Sequence, residues 1–143
     1  EHSYDDLAVA ALKFMSAQSG AHLVQAFAKT RADDIERKGI EALKTVSNKT
    51  EGLATFLTEQ GYAATVIERK NGEEICQHHC PIAHVAAEFP ELCEAETAAF
   101  SALLGTHVQR LATIAHGDGV CTTYIPNAIT KNAVNKTSAR RGN

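Results

Sequence analysis

The stretch Gly61-Tyr62-Ala63-Ala64-Thr65-Val66-Ile67-Glu68-Arg69-Lys70-Asn71-Gly72-Glu73-Glu74-Ile75-Cys76-Gln77-His78 decides the fold. Up to Gly61 the apolar residues recur at helical spacing; after it they do not. Residues 62–70 are rich in strand formers, with Tyr62, Thr65, Val66 and Ile67. Asn71-Gly72 is a strong hairpin signal, because both residues tolerate positive φ. Residues 73–78 then read as the return strand, and Gly61 suits the C′ position of the helix before it.

Upstream, the pattern predicts three helices. Over residues 3–18 the stripe is Leu7, Ala8, Ala11, Leu12 and Met15, with Ser3 as N-cap and Asp5 and Asp6 at the positive end of the helix dipole. Over residues 21–46 it is Leu23, Val24, Phe27, Ala28, Ile35, Ile40, Leu43 and Val46, broken by a charged middle from Lys29 to Lys38. One small domain cannot cover a helix of that length, so it is expected to bend at Gly39 or to pack against a second copy of itself. Residues 50–60 bury Leu53, Phe56 and Leu57. Downstream, Pro81 and Pro90 each suit a first helical position and start helices over 81–88 and 90–104, the second ended by Gly105. Residues 106–115 read as extended, Gly117-Asp118-Gly119 as a turn and 120–125 as a last strand. The expected class is α+β: N-terminal helices plus a small antiparallel sheet of two hairpins flanking two short helices. Residues 1–60 form a helical dimerisation or linker region and 61–126 a sensor region. Residues 127–143 have little to bury and read as a flexible tail.

The 143 residues are 44% hydrophobic and 22% charged, as an ordinary globular protein requires. No apolar run approaches the roughly 20 residues of a membrane span, and no secretory leader is visible. The expectation is therefore a cytoplasmic protein with no membrane partner. The chain opens on Glu1 and has a single methionine, Met15, which reads as a piece of a longer or processed protein. A formal charge of −3 argues against this segment alone gripping duplex DNA. The basic end, Lys131, Lys136, Arg140 and Arg141, lacks aromatic residues for stacking and reads as solvated.

The four cysteines, Cys76, Cys80, Cys93 and Cys121, all lie in the second half. Outside a secretory context that pattern points to metal or redox chemistry rather than disulfides. Cys80 and Cys93 stand at helix starts, where free N–H groups and the dipole favour an anionic thiolate-bound cluster. Cys121 follows a glycine-rich turn that lets backbone approach closely. Cys76-x-x-x-Cys80, with His78 and His79 between, is also compatible with zinc, although zinc sites usually show two tight ligand pairs. His84 and His116 read as surface or hydrogen-bonded residues. His79-Cys80 is the one adjacent pair that a thiol enzyme could use, and no second acid or substrate motif accompanies it.

The run Cys80-Pro81-Ile82-Ala83-His84-Val85-Ala86-Ala87-Glu88-Phe89-Pro90-Glu91-Leu92-Cys93-Glu94, with Leu103-Leu104-Gly105 and His116-Gly117-Asp118-Gly119-Val120-Cys121, resembles the SufR-type iron–sulfur-responsive repressors in their actinobacterial form. Their pattern of a cysteine, twelve residues, a cysteine, twenty-seven residues and a cysteine falls on Cys80, Cys93 and Cys121. The resemblance implies a non-enzymatic sensor domain of a transcriptional repressor of cluster-assembly genes. It would hold an iron–sulfur cluster, [4Fe-4S] or alternatively [2Fe-2S], and work as a homodimer. Operator DNA would be bound by a winged helix-turn-helix outside this chain. Cyanobacterial relatives place a cysteine where His107 stands, which makes His107 a rival to Cys76 as fourth ligand. The alternative expectation is a zinc-stabilised structural or interaction domain.

Overall fold

The computed structural model describes residues 3–127. Three helices come first: α1 (Ser3–Ser19), α2 (Ala21–Leu43) and α3 (Lys49–Glu59). The hairpin β1 (Ala64–Arg69) and β2 (Gly72–Gln77) follows, then α4 (Ala83–Glu88) and α5 (Glu91–Leu104). The described residues close with β3 (Gln109–Ala112), a 3-10 turn (Ile114–His116) and β4 (Cys121–Pro126). The sheet is antiparallel in the order β1-β2-β4-β3, so the two hairpins join through β2 and β4. This is the α+β architecture that the change of period at Gly61 predicts. The expected tail lies outside the described residues, apart from Asn127.

Local differences have physical causes. The hairpin loop is Lys70-Asn71, because Arg69 pairs with Gly72. Gly72 therefore belongs to β2 and is not among the residues with positive φ. Its lack of a side chain serves close approach instead: a Cβ there would run into the Ile125 carbonyl oxygen of β4 and come within 2.8 Å of the Tyr124 hydroxyl. Gly39 does not bend α2. It lies buried within an unbroken helix, and a Cβ would stand 2.6 Å from the Leu103 side chain of α5, so glycine lets these two helices close. The third strand is shorter than its sequence suggests. A register shift between Arg110 and Ala112 bends β3, and the chain turns at Ile114–His116 before reaching β4.

Two hydrophobic clusters share α2 and α5 as their spine. Leu43, Leu53, Phe56, Leu57, Ile75, Phe100 and Ile125 lie between the helices and the sheet. Val9, Leu12, Val24, Ala28, Val85, Phe89 and Leu92 close the far end, where α1 and α4 meet α2 and α5. In α1 the buried residues are Val9 and Leu12, not the whole expected stripe. Tyr4, Leu7 and Phe14 are exposed at 86%, 65% and 65%. In α2, Phe27 and Ile40 are exposed too. Apart from Arg31, which turns inward, the charged middle of that helix is largely solvated and self-paired, with Lys29 on Asp33 and both Arg37 and Lys38 on Asp34.

Candidate functional site

The N-terminal half of α5 packs beside the 3-10 turn and the bent strand β3. This brings Cys93, Thr97, Arg110, Thr113 and His116 to the wall of one open cavity of about 400 Å³. Cys80, in the loop before α4, and Cys121, at the start of β4, lie buried behind Cys93. Each of the three cysteines is free. The Cys121 Sγ accepts a hydrogen bond from the Ile114 N–H at 3.2 Å, and the Cys80 sulfur is hydrogen-bonded to the Ile82 backbone. Burial pushes the Cys80 thiol from 9.0 up to about 11; the charges of Glu96, Cys121 and Cys93 add to the rise and the Ile82 backbone opposes it. Burial also raises Cys93, helped by Glu96 and opposed by Arg110. These thiols hold their protons at neutral pH.

Cys76 takes no part in this grouping. Gln77 pairs with Cys121 and Cys76 with Thr122, and directly paired residues share a face of the sheet. Cys76 therefore points to the opposite face from Cys121. Its thiol is raised first by burial and then by Glu74 on its own face. His107 is exposed and lines a different cavity, beside Ser101 and Val108. His78 hydrogen-bonds to Thr65 across the first hairpin, His84 pairs with Asp6 of α1, and His116 Nδ1 meets the Thr113 hydroxyl at 2.7 Å.

Beneath the thiols sits a polar triad that spacing did not suggest. Arg31 of α2 pairs with Glu96 of α5 at 2.5 Å and donates to the Tyr62 hydroxyl at 3.3 Å, while Tyr62 donates to Glu96 at 2.9 Å. Burial alone would lower the Arg31 pKa, but Tyr62 and the Glu96 charge outweigh it and hold it above the ordinary arginine value. Burial and Glu96 push the Tyr62 hydroxyl up against the opposing pull of Arg31. A signal was present: Glu96 falls in the apolar stripe Leu92, Glu96, Ala99, Phe100 of α5, and Arg31 falls between Ala28 and Ile35 of α2. A charge on a buried stripe calls for a partner.

The expected cofactor does not fit this arrangement. Among the described residues, no group of three or more His, Cys, Asp or Glu side chains is placed to hold a metal ion. The iron–sulfur sensing function, its [4Fe-4S] or [2Fe-2S] cofactor and the zinc alternative are all overturned on this ground. The comparisons with known proteins supply no substitute: no family model, no curated protein and no solved structure matches the chain.

Proposed function

We propose that this chain is a self-associating, non-enzymatic domain, with α1 as the seam between two copies. The observation that carries the reading is the outer face of α1. Tyr4, Leu7, Ala11 and Phe14 follow the three-four-three spacing of a coiled-coil seam and are all exposed. Ala10 and Ala17 flank that line, also exposed, and let a second backbone come close. The charged residues of α1 avoid this face: Lys13 reaches Glu88 of α4, and Asp6 pairs with His84. A face with no charge of either sign suits a like face, and a two-fold axis would set Tyr4 of one copy against Phe14 of the other. The protonated thiols support the non-enzymatic part, since a thiol nucleophile needs a lowered pKa. The repressors that the sequence resembles are dimeric. In this reading any operator DNA is contacted by a module outside these residues, as the formal charge of −3 favours.

Sedimentation at micromolar concentration tests the reading. The expected mass is twice 15.3 kDa, and Leu7→Asp with Phe14→Asp should return it to 15.3 kDa. Leu111→Asp, at a residue 54% exposed on β3, should leave the dimer intact. A monomeric parent protein would refute the proposal.

A further inference from the structure

Arg110 lines the cavity beside α5 and has no carboxylate partner among the described residues. The Nε and Nη2 atoms of Arg110 are buried and have no hydrogen-bond partner. Together they form one edge of the guanidinium, the fork that grips both oxygens of a carboxylate. The guanidinium stands over the Phe100 ring, with its Cζ 5.7 Å from the centroid, a contact that supplies no acceptor. The buried carboxylate of α5, Glu96, is already bound by Arg31 and Tyr62. Cys93 feels the Arg110 charge, but its thiol stays protonated at neutral pH. Glu94 lies at the exposed rim and forms no hydrogen bond or ion pair with Arg110. Two buried donors left this way are costly unless something else completes them.

We propose that this cavity is a binding site for a small organic carboxylate, with Arg110 as its anchor. The volume of about 400 Å³ is within the range of small-molecule sites. The Thr113 and His116 pair adds polar groups on the same wall, hydrogen-bonded to each other and able to turn toward a ligand oxygen. The orphaned edge is closed to water in this state, so uptake turns the guanidinium toward the cavity that it lines. The bend in β3 is what brings Arg110 here, because the register shift begins at this residue. The site is independent of the α1 seam and does not require self-association.

The full chain can be titrated with benzoate, a carboxylate on a small apolar body, with benzamide as its neutral isostere and inorganic phosphate as the competing anion. Benzoate should give a saturable rise in Tm, and benzamide none. Arg110→Gln should weaken the benzoate response at least tenfold while its Tm without ligand does not fall below that of the parent. In the amide spectrum of the unmutated protein, benzoate should move residues 93, 97, 110, 113 and 116. That measurement decides the matter even if Arg110→Gln fails to fold. No saturable response, an equal response from benzamide, shifts confined to other residues, or a response to phosphate but not to benzoate would each overturn the assignment.

Discussion

Replacing Glu96 by Gln tests what holds the two halves of this fold together. The substitution preserves shape and an oxygen that can still accept from Tyr62, but it removes the charge that Arg31 faces. The Glu96 side chain is 5% exposed and that of Arg31 28%. Arg31 would then be a largely buried guanidinium without a counter-ion. Breaking a buried pair by removing one partner costs about 3–5 kcal/mol. Arg31 keeps some contact with water and the glutamine keeps one hydrogen bond, so the lower end applies, about 3 kcal/mol. Because α2 and α5 are the spine shared by both core clusters, the loss should appear in global unfolding, with a lower urea midpoint, an unchanged m value and a Tm lower by roughly 10 °C. A change below about 1 kcal/mol would refute the argument. A changed m value would mean instead that α1 and α4 had come loose from the rest.

Two further outcomes follow from neighbouring features. Gly72→Ala should destabilise by about 2 kcal/mol in urea unfolding, because the new methyl meets the Ile125 backbone rather than a side chain that can yield; an effect within about 0.5 kcal/mol would show that β2 and β4 can part there without cost. The raised pKa of Tyr62 gives the protein an alkaline limit. Below pH 10 the hydroxyl is protonated both folded and unfolded and its stabilisation is complete; above pH 10 the unfolded chain ionises first, so stability falls as pH rises towards the folded pKa. Tyr62→Phe should flatten that fall between pH 10 and 11, and two parallel curves of stability against pH would count against it.

The fold was legible because its elements are announced by short signals: a glycine after α3, a glycine-bearing hairpin and a proline before each of the later helices. The boundaries moved where a distant partner decides them. Gly72 was recognised as a turn glycine, yet the constraint on it is the backbone of β4, which enters the sheet some fifty residues later. No local pattern contains that information. In α1 the apolar residues make two overlapping helical stripes, Val9 with Leu12 and Tyr4 with Leu7, Ala11 and Phe14. Periodicity shows both and cannot say which meets the core. What decided it was the position of α4 and α5, whose Val85, Phe89 and Leu92 meet Val9 and Leu12.

The site shows the same limit more sharply. Spacing drew Cys80, Cys93 and Cys121 out of the sequence, and the fold does gather them near Glu96. A ligand set needs more than proximity, because its donors must face one point and be free to ionise. Both conditions depend on features that spacing does not encode. One is sheet parity, which pairs Cys121 with Gln77 and turns Cys76 away. The other is burial, which raises the Cys80 and Cys93 thiols and keeps them protonated. The sequence does not single out the arginines, because a lone Arg in a helix or strand is usually solvated. Their environments are opposite: Arg31 has a carboxylate and a hydroxyl, whereas one whole edge of Arg110 has neither. A fold that satisfies the Arg31 guanidinium and leaves one edge of Arg110 unpartnered, beside a cavity, has the form of a site that is completed by a group the described residues do not supply.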